Sequence, residues 1–329
     1  MFLELVRRAG EEDPALARAA LEGLSAYQSA PRAEAPAKKP IVEQIGGSSI
    51  ADHGGDGAPV VLVPSLINPP RILDLDEQVS LADAVARMGW RSLLLDWGPA
   101  ADRRELSIAG HIEQRLVPLL HRLGEPVTLV GYCLGGTMAI AAANHVPVAS
   151  LVTLAAPWDF GGYPSEARSS LAELWGQARP SAQSLGLLPI EVLQAAFWSL
   201  DPERTVRKFA RFAGLDPQGA EARRFVEMEE WANEGEPVPF PAAAELIEDL
   251  FGANRSGLGE WTVAGSAARL PDGVPMLHIT ATGDRIVPAS TAPPGPRIAI
   301  DSGHVGMVVG AARAHLHDAI RSFLDRSLS

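Results

Sequence analysis

Val127-Thr128-Leu129-Val130-Gly131-Tyr132-Cys133-Leu134-Gly135-Gly136 is the stretch that decides how this chain folds. Residues 127–131 read as a short buried strand, and the Ala-rich stretch 134–144 reads as a helix. The chain must therefore turn sharply at Cys133. Small residues at Gly131 and Gly135, two positions either side of it, are a steric need, because the helix has to cross close over the strand. Such a turn lifts the Cys133 side chain above the sheet edge. The helix N-terminus beneath it supplies partial positive charge, which favours the thiolate, the nucleophilic form. The amide of Leu134 then points at a developing oxyanion. The competing reading of Cys133 is a buried cysteine acting as a small hydrophobe.

Working outward, 60–63 (ended by Pro64), 91–95 and 148–154 read as buried strands, and 41–45 as an earlier one. Residues 75–88 and 106–123 have helical spacing. Strands alternating with helices imply a mostly parallel sheet covered on both faces. Residues 158–270 break this rhythm. They are helical in patches, such as 187–200 and 242–251, hold Trp175, Trp198 and Trp231, and contain no clear strand. They are expected to form a helical cap or lid, the alternative being a structural cap with core tryptophans. The alternation resumes with strands at 276–281 and 297–300 and a closing helix at 310–328. Residues 1–28 show helical spacing, with Pro14 starting a second helix, and 29–40 is a Pro-, Ala- and charge-rich linker. These first helices either dock a partner or pack on the core. The expected division is 1–40 as an N-terminal segment and linker, 41–157 with 271–329 as the core, and 158–270 as the insertion.

Composition narrows the function. Hydrophobic residues make up 47% of the 329, enough for a large core. A net charge of −12 argues against non-specific nucleic-acid binding and against docking on anionic lipid. The single cysteine excludes an internal disulfide and a cysteine-based zinc site. No uncharged apolar run of about 18 residues is present, so no membrane span is expected. The first residues do not read as a signal peptide, and the cytoplasm is the expected compartment.

A cysteine nucleophile needs a histidine, and the histidine needs an orienting acid. In this elbow architecture the chain order is nucleophile, acid, histidine. Asp284 follows the strand 276–281 and His304 follows the strand 297–300. Both fall at the carboxyl edge of the sheet, where ligands bind in open parallel sheets. Asp159, after the strand 148–154, and Asp301 are rival acids. His53 lies in a Gly-rich loop. His111, His121 and His145 sit in helical patterns, and His278 reads as a hydrogen-bonded core residue inside a strand. His315 and His317, two apart on a helix, do not face one metal, and no metal site is expected. A second oxyanion donor should come from the loop after Val63, as the amide of Leu66 or Ile67. Asn68 either adds a side-chain amide or fixes a turn before Pro69 and Pro70. Asp96 reads as a structural acceptor. The pattern is that of an α/β-hydrolase fold, with a mostly parallel central sheet, helices on both faces and a helical cap insertion.

Taken together, several segments resemble the polyhydroxyalkanoate synthase family of the α/β-hydrolase superfamily. They are Leu66-Ile67-Asn68 with Ile72-Leu73-Asp74-Leu75; Leu95-Asp96-Trp97-Gly98; Gly131-Tyr132-Cys133-Leu134-Gly135-Gly136-Thr137; Leu151-Val152-Thr153-Leu154 running to Asp159-Phe160; Gly283-Asp284 with Ile286-Val287-Pro288; and Gly303-His304-Val305-Gly306. The matches run in order over about residues 59–310. The resemblance implies transfer of 3-hydroxyacyl units from coenzyme A thioesters into a polyester held on cysteine. Cys133 would be the nucleophile, His304 the base and Asp284 its partner. It implies no cofactor, the coenzyme A thioester being substrate. The length resembles the short catalytic subunit of two-component synthases, which points to a second copy or a second synthase subunit as protein partner.

Two departures stand near the expected site: Arg71 where the family has an aromatic residue, and Arg285 where it has a histidine. With Tyr132 they are the candidate substrate contacts. Two guanidinium groups suit a carboxylate or phosphate; otherwise they are solvated surface arginines. The leading reading is an acyltransferase. The alternative is a cysteine hydrolase, whether polyester depolymerase, esterase or thioesterase, in which water takes the acyl group. Intracellular depolymerases of these polyesters share the elbow. A third reading, a non-catalytic protein that binds an acyl ligand or a granule surface, is opposed by the intact set of Cys133, Asp284 and His304.

Overall fold

The computed structural model describes residues 2–32, 37–199 and 202–327. Residues 33–36 of the expected linker, Leu200 at the end of the 187–200 patch and Leu328 at the end of the closing helix lie outside them. Strands β1 (Ile41–Ile45), β2 (Ser48–Asp52), β3 (Pro59–Val63), β4 (Arg91–Asp96), β5 (Val127–Tyr132), β6 (Val148–Leu154), β7 (Met276–Ala281) and β8 (Arg297–Ile300) form one sheet. Its order is β1-β2-β4-β3-β5-β6-β7-β8. From β4 to β8 every pairing is parallel, while β1 and β2 join antiparallel at one edge. The central strands β3 and β5 are buried along their whole length. Their unbroken apolar sequence is what a strand covered on both faces requires.

Two local expectations change. β2, Ser-Ser-Ile-Ala-Asp, was not anticipated, because it has no apolar run; only Ile50 carries a large side chain into the core. The helix expected at 75–88 is confined to Leu81–Arg87. Asp76 folds the preceding residues into a turn by accepting from the amides of Gln78 and Val79. Ser80 then caps the helix by accepting from the Asp83 amide. Serine at this position satisfies one of the orphan donors of the first turn, so local polar chemistry outweighs the helical spacing of Leu75 and Val79.

The described chain packs as two units, Met1–Ala37 with Ile190–Gly235 and Lys38–Pro189 with Glu236–Ser329. In the first, helices Phe2–Glu12 and Pro14–Ser29 share a core with Pro202–Phe212 and Ala220–Asn233. Asp13 caps the second helix, accepting from the amides of Ala15 and Leu16, with Pro14 in its first turn. Val6, Tyr27, Val206, Phe209, Phe212 and Val226 fill the interior. Phe212 stacks on Phe225 at 4.4 Å, and Tyr27 meets Phe209 edge-on at 5.9 Å. The sequence division set residues 1–40 apart from 158–270; the structure instead gives the first two helices and residues 190–235 one core. Amphipathic spacing reveals that a helix has a buried face but not what buries it.

The rest of 158–270 belongs to the second unit. Its long helix, Ser165–Leu185, buries Trp175, which stacks on Phe240 at 5.9 Å and donates through Nε1 to Glu248 at 2.7 Å. Short strands do occur here, contrary to expectation. Leu187–Leu188 pairs with Val238–Pro239, and Thr262–Val263 with Ser266–Ala267. Two residues are too few to show alternation in a sequence.

Candidate active site

The elbow follows from close packing. Cys133 sits between β5 and the helix Leu134–Ala142 with φ 55° and ψ −130°, a conformation a residue with a side chain rarely adopts. Such backbone strain costs about 1–3 kcal/mol. Two hydrogen bonds hold it: the Cys133 amide donates to Leu154 O at 2.9 Å, and the Gly136 amide donates to Cys133 O at 2.9 Å. A Cβ on Gly131 would collide with Gly136 Cα, and one on Gly135 would collide with the carbonyls of Val63 and Pro64. The glycines expected from the sequence are therefore needed on steric grounds. The Gly135 contact also sets the loop after β3 against the N-terminus of the elbow helix.

That loop carries Leu66, Ile67 and Asn68. Leu66 is buried; Ile67 and Asn68 are half-buried. The Ile67 amide reaches Ser65 Oγ at a long 3.4 Å, a weak bond that a stronger acceptor would displace. The Leu134 amide heads the first turn of its helix and so has no intrahelical acceptor. The loop is braced by Trp97, whose indole Nε1–H donates to Pro64 O at 3.0 Å. Trp97 lies in a motif quoted from the sequence, but its bracing role was not read there. Asp96 accepts from the Gly98 amide at 2.9 Å, as a structural acceptor.

His304 and Asp284 meet as the chain order suggested. His304 Nδ1–H donates to Asp284 Oδ2 at 2.6 Å, and both side chains are buried. The other carboxylate oxygen of Asp284 accepts from the amides of Ile286 and Val287, each at 2.8 Å, which fixes its orientation. Cys133 lies close enough to the imidazole to raise its pKa, and with Nδ1 committed to Asp284 the nitrogen left for it is Nε2. Burial alone would lower the pKa of His304. The charge on Cys133, the hydrogen bond to Asp284 and the charge on Asp284 outweigh it and raise the value from 6.5 to about 10. In Cys133→Ala the sulfur's contributions vanish, so the His304 pKa should fall below its wild-type value. Titration of the His304 ring by NMR in both proteins checks this, and an unchanged value would refute the pairing.

The rival acids are occupied elsewhere. Asp159 Oδ1 accepts from the Gly161 amide at 3.0 Å and from Asn254 Nδ2 at 2.8 Å. Asp301 accepts from Thr282 Oγ1 at 3.1 Å. Tyr132, expected among substrate contacts, is buried against the histidine, with ring centroids 5.0 Å apart, and its hydroxyl donates to His304 O at 3.4 Å. It fixes the ring's position. Arg71 is half-buried and Arg285 is exposed, and each has an interacting neighbour. His278 bonds Thr153 through Nδ1 at 2.8 Å inside β7, as a core histidine. Burial, partly offset by a backbone hydrogen bond, pushes its pKa down to about 4.

Tyr163 also lies within electrostatic reach of these groups, although nothing in the sequence singled it out. Burial first, then the charges of Cys133 and Asp284, hold its phenol well above the ordinary tyrosine value. Away from the elbow, His53, Asp74 and Asp83 bring ligand-type atoms within 4.8 Å of one another. His53 Nδ1 already bonds Asp83 at 3.1 Å, and Lys39 Nζ lies 3.3 Å from the same carboxylate oxygen, so the group satisfies itself. Among the described residues, no helix is long and apolar enough to cross a membrane.

No family model matches the chain. Its sequence is similar to proteins named poly(3-hydroxyalkanoate) polymerase subunit PhaC. The one from Haloarcula marismortui is 25% identical over 293 residues, covering 82% of this chain and 61% of that protein. The one from Haloferax mediterranei is 27% identical and covers 78% and 56%. The one from Allochromatium vinosum is 27% identical and covers 81% and 80%. This chain thus spans less than two thirds of the two haloarchaeal relatives. Among solved structures, it is similar to BpoC of Mycobacterium tuberculosis H37Rv, a proposed non-heme bromoperoxidase, with a TM-score of 0.52 and 15% identity over 89% of this chain and 99% of that one. It is equally similar to the monoacylglycerol lipase of Paleococcus ferrophilus, with a TM-score of 0.52 and 16% identity over 84% and 98%. At such identities the structural likeness carries the fold. The chain has the α/β-hydrolase fold, and its sequence resembles the polyhydroxyalkanoate synthases.

Proposed function

We propose that this protein is a cysteine-dependent acyltransferase of polyhydroxyalkanoate-synthase type, taking 3-hydroxyacyl groups from coenzyme A thioesters. The observation that carries the reading is a strained elbow cysteine in electrostatic reach of a buried histidine, which a buried aspartate orients through a 2.6 Å hydrogen bond. The Cys133 sulfur, as thiolate, attacks the thioester carbonyl. The oxyanion forms against the Leu134 amide and an amide of the loop at Leu66 or Ile67, with Asn68 beside them. As the intermediate collapses, the bond to the coenzyme A sulfur breaks, and that sulfur takes the proton from His304 Nε2. The acyl group is now a thioester on Cys133. Nε2 then removes the proton from an incoming 3-hydroxyl, whose oxygen attacks the acyl carbon. Cys133 leaves as thiolate, and a new ester is formed. Asp284 keeps Nδ1 protonated throughout, so that Nε2 can serve as acid and then base.

A hydrolase shares the first half, with water as acceptor. The names of the relatives favour the polymerase direction. Those names also include the word subunit, which supports a protein partner, either a second copy or a second synthase chain. Of the cap expected at 158–270, the lid role is proposed only for the parts that share a unit with the candidate site. These parts are 158–189 and 236–270, which pack in the same unit as Cys133, Asp284 and His304.

The test is incubation with 3-hydroxybutyryl-coenzyme A, following free coenzyme A, free 3-hydroxybutyrate and protein mass together. Chain growth predicts more coenzyme A than free acid, with protein masses rising in steps of one monomer. Equal amounts of the two would establish the hydrolase, and no release at all would contradict both.

A further inference from the structure

We propose that Tyr163 determines acyl specificity: its hydroxyl donates a hydrogen bond to the 3-oxygen of the acyl group on Cys133. This rests on the acyl-transfer reading above. The sheet order dictates the placement. β5 leads into Cys133, β7 into the Asp284 loop, and β6 lies between them. The segment leaving β6, residues 155–163, therefore emerges at the carboxyl edge between nucleophile and acid.

Hydrogen bonds pin this segment to the loop that follows Asp284. The amides of Trp158 and Asp159 both donate to Thr291 O, at 2.7 and 3.0 Å, and Ser290 Oγ donates to Gly162 O at 2.8 Å. Ser256 Oγ holds Trp158 O at 2.6 Å from the other side. The Tyr163 ring is wedged between Phe160 at 5.8 Å and Phe251 at 4.7 Å, with Phe160 itself fully buried. Both aromatic contacts fix where the phenol points, yet Tyr163 as a whole is only half-buried.

Its hydroxyl has no hydrogen-bond partner among the described residues. A phenol fixed between two aromatic rings and kept neutral by burial is a donor awaiting an acceptor. The carbonyl oxygen of a bound thioester is served by backbone amides near the elbow. Two carbons further along, a 3-hydroxyacyl group carries one more acceptor, its 3-oxygen. An unsubstituted acyl group has none there. A site that presents a donor to a substrate oxygen disfavours the analogue lacking that oxygen.

The experiment compares coenzyme A release from 3-hydroxybutyryl-coenzyme A and from butyryl-coenzyme A, as kcat/KM, in wild type and Tyr163→Phe. Wild type should prefer the 3-hydroxy thioester by about tenfold, the scale of one neutral hydrogen bond. Tyr163→Phe should lose that preference by slowing only the 3-hydroxy substrate, and its thermal midpoint should be unchanged because no protein hydrogen bond is lost. A purely structural tyrosine would slow both substrates alike. The same ratio in both proteins, or equal slowing of both substrates, overturns the inference and leaves the acyl-transfer reading intact. Failure of wild type to release coenzyme A from either thioester overturns both.

Discussion

Cys133→Ala should lower acyl transfer by on the order of 10⁶-fold, the scale on which removing the nucleophile acts in an acyl-transfer triad. The loss belongs in kcat, since the sulfur forms a bond in the transition state and contributes little to holding the substrate. Weak residual turnover, roughly 10³–10⁴ above the uncatalysed rate, would come from the oxyanion donors and from binding alone. The fold should survive, because the bonds that hold the elbow, from the Cys133 amide to Leu154 O and from the Gly136 amide to Cys133 O, are backbone bonds. Steady-state kinetics of the purified variant, with circular dichroism to verify folding, measures this. A fall of less than about a hundredfold would point to a different nucleophile.

Asp284→Asn should cost roughly 10⁴-fold in kcat, the effect seen when the orienting acid of a triad becomes an amide. The reason is tautomeric. The asparagine Oδ1 still accepts from the amides of Ile286 and Val287, so the loop keeps its shape. Its Nδ2, however, now points a donor at His304 Nδ1. The imidazole must turn its lone pair toward Nδ2 and place its proton on Nε2, the nitrogen that faces Cys133 and that must act as base. The loss of the Asp284 charge and hydrogen bond also removes two of the contributions that raise the His304 pKa. A loss below tenfold would mean that Asp159 or Asp301 orients the ring, although both are engaged elsewhere.

The legibility of this chain followed its physics. β3, β5 and β6 announced themselves as short apolar runs between turn residues, because strands covered on both faces admit little else. β2 did not, since a five-residue edge-side strand can be held in the sheet by backbone pairing and one buried isoleucine. The helix before Arg87 was read too long because apolar spacing at Leu75 and Val79 does not reveal that Asp76 and Ser80 will spend their side chains on local amides. The placement of the candidate site residues was legible, as was the pairing of His304 with Asp284. The candidate nucleophile Cys133 directly follows a strand, and the candidate acid Asp284 and base His304 sit shortly past two others, so locating the strands located all three. The shared core of the first helices with residues 190–235 was invisible, as Phe209 and Tyr27 lie far apart in sequence. Tyr163 was missed for a similar reason: its place depends on hydrogen bonds that Trp158 and Asp159 donate to, and Gly162 accepts from, a loop some 130 residues away.

A covalent acyl group on Cys133 is the central step of the proposed reaction. The most direct measurement is intact-mass analysis of the protein quenched in acid after brief exposure to 3-hydroxybutyryl-coenzyme A, followed by proteolysis to locate the adduct. The account predicts a 3-hydroxybutyryl increment, or a ladder of them, on the peptide containing Cys133, and none in Cys133→Ala. Coenzyme A released with the increment on another residue, or with Cys133 unmodified at every time point, would contradict it.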